Sequence, residues 1–237
     1  MIVSASFFTK LIEKNKKKSE SLVPKLIYRL VRESATSQTF IHFPNGDDIF
    51  APGWDGFVYD NKTEHRFLPM GKVYFEVGTN NSCYNGLKKI NADYEKRKSI
   101  KTIAKKEEST YIAVTTSILN STKKEELTTR YNDEHIFKRV IILDAIDITD
   151  WMEEHINICI WFLKEYGEKI DDYDITLLPD EWDRISLCTE PVLSFDFFKA
   201  GNERNAIKLI EDLQKIKSNK SITISSRYYG KDFAFFF

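Results

Sequence analysis

The sequence predicts an α/β protein: a mixed β-sheet flanked by helices, with a mainly helical C-terminal extension. Short, continuously apolar runs recur along the first 145 residues, as in the strands of a covered sheet. Segments between them carry apolar residues at helical spacing. Beyond residue 145 the helical pattern dominates. We therefore divide the chain into an α/β core, 1–145, and a helical extension, 146–237, packed on it.

The first part of the core is predicted to hold one helix and three strands. Residues 19–34 repeat leucine, isoleucine and valine at the spacing of an amphipathic helix. Residues 39–43 form a short strand that ends at the Pro-Asn-Gly-Asp turn of 44–47. Two further apolar runs, 56–59 and 73–79, predict the second and third strands.

A basic helix and two more strands complete the predicted core. Asn80, Asn81, Ser82 and Gly86 indicate a loop. The helix is expected at about 87–106, and the strands at 111–115 and 140–143. The first six of these elements therefore have the order helix, strand, strand, strand, helix, strand, and the strand at 140–143 follows them.

The extension is predicted to begin with a helix over 148–166, ended by Gly167. A second helix is expected at 206–217 and a strand at 222–225. The last five residues, 233–237, include four phenylalanines, which are an aggregation hazard if exposed. Either these rings are buried or the natural chain continues past Phe237.

The amino-acid composition argues against several classes of protein. Of the 237 residues, 42% are hydrophobic and 14% aromatic, so the chain is expected to fold. No stretch approaches the ~20 apolar residues of a membrane span. The three cysteines are odd in number and widely spaced, which favours reduced thiols in a cytoplasm over disulfides or structural zinc. These are Cys83, Cys159 and Cys188.

Charge is unevenly distributed, although the net charge is only −1. Residues 86–106 hold eight basic and two acidic residues, whereas 144–190 hold fourteen acidic and three basic ones. A polyanion is expected to bind along the basic segment. The simpler alternative is that these lysines form a solvated helix face.

Two carboxylates stand out. Asp55 follows a Pro-Gly turn, and Glu76 lies within the apolar run of the third strand. A carboxylate in such a strand is costly unless it is paired or coordinated. Asp55 taken alone is better explained as an ordinary turn aspartate. Two converging carboxylates before a lysine-rich helix suit phosphodiester hydrolysis, with Mg²⁺ or Mn²⁺ as the metal for oxygen ligands.

The motifs Gly-Trp-Asp-Gly (53–56), Phe-Glu-Val-Gly-Thr (75–79) and Asp-Tyr-Glu-Lys-Arg (93–97) resemble those of the PD-(D/E)XK, restriction-endonuclease-like superfamily. More closely, they are similar to the N-terminal nuclease module of large bacterial NTPases that defend against phage. Trp182 and the Thr-Glu-Pro of 189–191 add weaker matches. The resemblance implies a restriction-endonuclease-like sheet and a natural chain that continues past residue 237.

The resemblance also implies site residues. Asp55 and Glu76 are expected to bind the metal, with the main-chain carbonyl of Val77 as third ligand. The superfamily's lysine normally stands where this chain has Gly78, and Lys89 matches a known variant in which the lysine moves to the following helix. Lys89 can equally be read as one surface lysine among many.

Several residues are predicted to assist. Lys88, Lys96 and Arg97 are candidates for DNA phosphate contacts, and Asp93 lies four residues from Lys89, where it can orient that side chain. Two possible auxiliary residues are Thr79, for a metal-bound water or a phosphate, and Glu33, which matches an extra carboxylate of some of these nucleases.

Other chemistries receive little support. The four histidines have no metal-ligand spacing, so a structural role is expected for each. The chain lacks a P-loop motif and a hydrolase elbow. The four tryptophans are expected to pack in the core.

The expected function is a Mg²⁺-dependent DNA endonuclease of the cytoplasm, acting as a homo-oligomer or as the effector module of a larger antiviral defence protein. The alternative keeps the fold without the chemistry: a catalytically decayed module for nucleic-acid binding or oligomerisation. An adaptor whose acidic half binds a protein partner is compatible with either.

Overall fold

Five strands form a mixed sheet in the order β1-β2-β3-β4-β5. The computed structural model describes residues 3–36, 38–44, 53–80, 82–100, 106–168 and 207–208. β1 pairs antiparallel with β2 and β2 with β3, whereas β3, β4 and β5 run parallel. The strands are β1 (Phe40–His42), β2 (Gly56–Asn61), β3 (Gly71–Gly78), β4 (Ser109–Thr115) and β5 (Arg139–Leu143).

Helices accompany the sheet and connect its parallel strands, which cannot be joined by tight turns. α3 joins β3 to β4 and α4 joins β4 to β5. The predicted α/β class, a mixed sheet flanked by helices, is confirmed. The helices are α1 (Ala5–Lys14), α2 (Lys16–Ser34), α3 (Cys83–Ser99), α4 (Ser121–Asp133), α5 (Ala145–Glu154) and α6 (Ile156–Tyr166).

The two faces of the sheet have different partners. Phe75 contacts Phe43, which in turn contacts Tyr28 of α2. On the opposite face, Tyr111 of β4 packs against Tyr94 of α3. Every residue of β4 is buried, as expected for a strand covered on both sides.

Several predicted helix boundaries are wrong. α3 begins at Cys83 rather than 87, because the Ser82 side chain caps it by accepting from the Asn85 N–H, and it ends at Ser99 rather than 106. Gly86 is therefore helical. The predicted helix over 148–166 is two helices, broken at His155 with φ −130° and ψ 72°. α2 begins at Lys16 rather than 19.

Two helices, α1 and α4, had no predicted counterpart. In α4 only Tyr131 is buried, so the sequence has no apolar stripe to reveal it. By contacts, the chain divides into Met1–Lys169 and Ile170–Phe237. Both α5 and α6 thus belong to the first unit, although they follow the predicted boundary at residue 145.

Some predicted features lie outside the described residues. They are the strand at 222–225, the phenylalanines of 233–237, Trp182 and the 189–191 motif, together with all but two residues of the helix at 206–217. Among the helices described, none has both the length and the apolar character needed to span a bilayer.

Candidate metal centre

Asp55 lies where β2 begins and reaches across to β3. Gly56 pairs with Phe75, and just beyond that pair the Val77 N–H donates to Asp55 Oδ2 over 2.7 Å. Gly56 is needed here because a Cβ atom would lie 2.3 Å from the Phe43 ring. The pairing of β2 with β3 therefore brings Asp55 to the strand that carries Glu76.

Glu76 lies on the face of β3 that α3 covers, with only 6% of its surface exposed. Its Oε1 accepts a hydrogen bond from Nε of Arg97, which is buried as well. The Arg97 guanidinium also donates to the Gly53 carbonyl and stacks 4.5 Å from the Trp54 ring centroid. Arg97, predicted as a surface phosphate contact, is instead an internal partner of Glu76.

Negative charge exceeds positive charge at this site. Burial, and then the charge of Asp55, raises the pKa of Glu76 to about 7, although Arg97 opposes the shift. Burial also raises the pKa of Asp55, although the hydrogen bond from the Val77 N–H opposes this shift. The charge of Asp93 raises the pKa further. Three carboxylates thus interact with two cations, Arg97 and Lys89. A bound cation would relieve this imbalance.

Lys89 of α3 lies beside Gly78, the last residue of β3. A Cβ atom on Gly78 would be 3.5 Å from Cγ of Lys89. The ammonium of Lys89 donates to Asp93 Oδ1 over 2.6 Å, one helical turn away. Lys89 therefore reaches from α3 over the end of β3, where its ammonium is paired with Asp93.

Tyr111 is a member of this cluster that the sequence did not predict. Within the described ranges, its hydroxyl is the one buried side-chain polar atom without a hydrogen-bond partner. Burial, followed by the charges of Glu76 and Asp93, raises its pKa well above the usual value. Such an atom is normally satisfied by water or a ligand. Its apolar neighbours in β4 gave no sequence signal of a site.

The donor atoms fit a hard cation. Val77 and Arg97 use one oxygen each of Asp55 and Glu76, which leaves Oδ1 and Oε2 as the remaining oxygens. The N–H and C=O of a strand residue point to the same side, so the Val77 carbonyl faces the β2 side of β3, as its N–H does. Oxygen ligands suit Mg²⁺ or Mn²⁺.

The remaining predicted site residues are less closely associated with the cluster of Asp55 and Glu76. Lys88 and Lys96 are exposed on α3, and Thr79 is half-buried directly after β3. Glu33 is exposed on α2 and belongs to a different neighbourhood. Burial lowers the pKa of His155 there, and the charge of Glu33 opposes that shift.

A cleft of about 570 Å³ lies at the β5 edge of the sheet. Two of its charged residues, Lys124 and Asp147, have a structural explanation. Asp144 and Asp147 form a capping box at the start of α5, and Lys124 pairs with both. Because the helix cap accounts for these carboxylates, the Asp55 and Glu76 cluster remains the stronger candidate for chemistry.

No protein-family model, curated protein or solved structure matches this chain.

Proposed function

We propose that this chain is a metal-dependent endonuclease of the PD-(D/E)XK type that hydrolyses DNA phosphodiester bonds. The observation that carries the proposal is the convergence of Asp55 and Glu76 at neighbouring strands, with Lys89 lying beside Gly78. From the resemblance of its motifs, we expect the chain to act within a larger anti-phage defence protein or as a homo-oligomer.

Each residue of the cluster has a role in this proposal. Asp55 and Glu76 hold Mg²⁺ or Mn²⁺ with the Val77 carbonyl. When bound, the metal lowers the pKa of a water ligand and stabilises negative charge on the phosphate. The Val77 N–H fixes the orientation of Asp55. Lys89 neutralises charge that develops at the phosphate, and Asp93 positions Lys89.

DNA is expected to approach along α3. Lys88 and Lys96 are exposed on this helix and supply charge for phosphate contacts. Such contacts position a duplex without reading its sequence. The pairing of Arg97 with Glu76 removes Arg97 from this set and makes it a structural partner of the metal ligand.

A decayed, non-catalytic module is the second candidate, and the Arg97 contact is the observation that favours it. A buried guanidinium against Glu76 supplies positive charge in the absence of a metal. In a decayed site this pair would be permanent. In an active site Glu76 must also accept a metal, so divalent cations should stabilise the protein.

Cleavage of supercoiled and linear duplex DNA with Mg²⁺, Mn²⁺ or EDTA tests the proposal. We expect metal-dependent cutting that Asp55→Ala and Glu76→Ala abolish, while the exposed-carboxylate control Glu95→Gln keeps it. A thermal shift with Mn²⁺ on the same proteins separates the alternatives. Absence of both cutting and a metal-dependent shift in the wild type would favour the decayed module.

A further inference from the structure

We propose that His65, Glu154 and His155 form a zinc-binding site, separate from the centre at Asp55 and Glu76. His65 lies in the connection between β2 and β3, Glu154 ends α5, and His155 occupies the break before α6. One ligand atom from each side chain lies within 4.8 Å of the other two. Nothing in the proposed nuclease chemistry uses these residues.

The donor set selects the metal. Two imidazoles and one carboxylate are a known protein set for Zn²⁺, with water as fourth ligand. Mg²⁺ and Ca²⁺ favour oxygen ligands and would bind preferentially at the centre formed by Asp55 and Glu76. Nε2 of His65 and Oε2 of Glu154 are already 2.9 Å apart. Tetrahedral zinc holds its ligands roughly 3.4 Å apart. The 2.9 Å contact must therefore lengthen, which the exposed side chain of Glu154 allows, and any separation near 4.8 Å must shorten.

His155 makes a hydrogen bond through one ring nitrogen that can orient its imidazole, as second contacts orient zinc-binding histidines. Its Nε2 lies 3.1 Å from Oγ of Ser34, which also accepts from Nε1 of Trp151 over 2.9 Å. When Nε2–H donates to Ser34, Nδ1 carries the lone pair for the metal. The buried indole fixes the position of the serine, so the imidazole orientation is set by the protein.

His65 would change its hydrogen bonding on binding. Its Nδ1 now accepts from the Phe67 N–H over 3.2 Å, which places the ring proton of the neutral form on Nε2, facing Glu154. Coordination through Nε2 moves that proton to Nδ1 and ends the bond from Phe67. The Phe67 amide is therefore a local reporter of metal at this site.

Zinc titration of the metal-stripped full chain by calorimetry tests the proposal, with Co²⁺ absorption as a check on coordination. We expect one Zn²⁺ bound per chain, with affinity reduced about tenfold or more in His65→Ala and His155→Ala. His42→Ala is the matched control and should bind as the wild type does. Asp55→Asn should also retain zinc, so this test is independent of the nuclease proposal.

Glu154→Gln provides a variant at an exposed position that should leave the fold intact and still weaken zinc binding. In an amide NMR spectrum, Zn²⁺ should shift the Phe67 resonance. The proposal is overturned if the wild type binds no zinc at micromolar concentration. It is equally overturned if His65→Ala and His155→Ala bind zinc normally, or if His42→Ala weakens binding as much as they do.

Discussion

Glu76 is a buried carboxylate with negative neighbours, Asp55 and Asp93, and one arginine partner, Arg97. Burial disfavours its charged form, and the neighbouring charge of Asp55 adds to that effect. The Arg97 contact offsets only part of it, since the pKa is still raised to about 7. A divalent cation at this position would therefore favour ionisation and release a proton.

In the metal-free protein, the contribution of Glu76 to stability should fall as pH rises from about 4.5 to about 7. Folded Glu76 has a pKa of about 7 against 4.5 for the ordinary group, so the folded state binds the proton more tightly across this window. The stability that protonated Glu76 contributes is present below pH 4.5 and lost above about pH 7. The shift corresponds to about 3 kcal/mol at most. Urea unfolding at several pH values in EDTA measures it.

Glu76→Gln is the control for this titration. The variant cannot ionise at residue 76, so its stability should change less than that of the wild type between pH 5 and about 7.5. Mg²⁺ should restore stability to the wild type at the upper end of the window and not to Glu76→Gln. Parallel pH profiles for the two proteins would contradict the assigned shift.

Lys89→Ala should lower DNA cleavage by about 10²- to 10³-fold while metal binding persists, because the lysine acts on developing charge and is not a ligand. Gly78→Lys in the same protein should restore part of the activity. A Cβ atom at residue 78 would lie 3.5 Å from Cγ of Lys89, which the Lys89→Ala change removes. Its closest remaining neighbour would be Nδ2 of Asn80, at 3.3 Å. Single-turnover cleavage rates measure both effects.

Lys88→Ala is the matched control, since Lys88 is adjacent in sequence and exposed. The variant should bind DNA more weakly, and its binding should depend less on salt. The rate at which the bound complex cleaves DNA should not fall comparably. If Lys88→Ala and Lys89→Ala reduce that rate equally, Lys89 has no special role.

The residues of the candidate site differ in how well the sequence predicted them. Asp55, Glu76 and Lys89 could be selected because each stands in a motif with a distinctive neighbourhood. Arg97 could not be separated from Lys96, because only the rotational phase of α3 decides which side chain is buried. Two histidines ninety residues apart in sequence likewise gave no spacing signal for the cluster with Glu154.

At the scale of elements, α3 is held close to the sheet by Gly86. A Cβ atom there would lie 2.9 Å from Oγ of Ser117 and 3.0 Å from Oγ1 of Thr115. Ser117 cannot easily move, since its hydroxyl is bonded to the Asn80 and Ser82 carbonyls. The close approach fixes the distance between the helix that carries Lys89 and the strands.

Gly86→Ala should destabilise the protein by about 1–3 kcal/mol through overpacking, despite the better helix propensity of alanine. Chemical denaturation gives the change in free energy of unfolding. The exposed position Asn85 is the control: Asn85→Ala should stay within about 0.5 kcal/mol of the wild type. A stabilised Gly86→Ala would show that the helix is not packed this closely.

Element prediction succeeded where burial leaves a periodic pattern. α2 and β4 have strong apolar patterns and were predicted, whereas α4 has a single buried residue and was not. The break between α5 and α6 is invisible to periodicity because both helices bury apolar residues. There the backbone turns at His155 without a proline or glycine.

At the scale of the whole molecule, strand order explains why distant motifs meet. β2 and β3 are antiparallel neighbours, so the start of one lies beside the end of the other, and Asp55 meets Val77. The α3 crossover then returns over β3 and brings Lys89 and Arg97 to the same face. The sequence predicted the order of these elements, but strand order and register come from tertiary pairing.

Metal-dependent cleavage by this site is tested by the rate at which equal amounts of folded wild type and Asp55→Asn cut one plasmid substrate as Mg²⁺ is raised. The amide keeps an oxygen for the Val77 N–H but removes the charge that holds a cation. We expect saturable, EDTA-sensitive cutting by the wild type and a loss of about 10²-fold or more in the variant. Equal cutting by both proteins, or none by the wild type at any Mg²⁺ concentration, would show that Asp55 does not hold a catalytic metal.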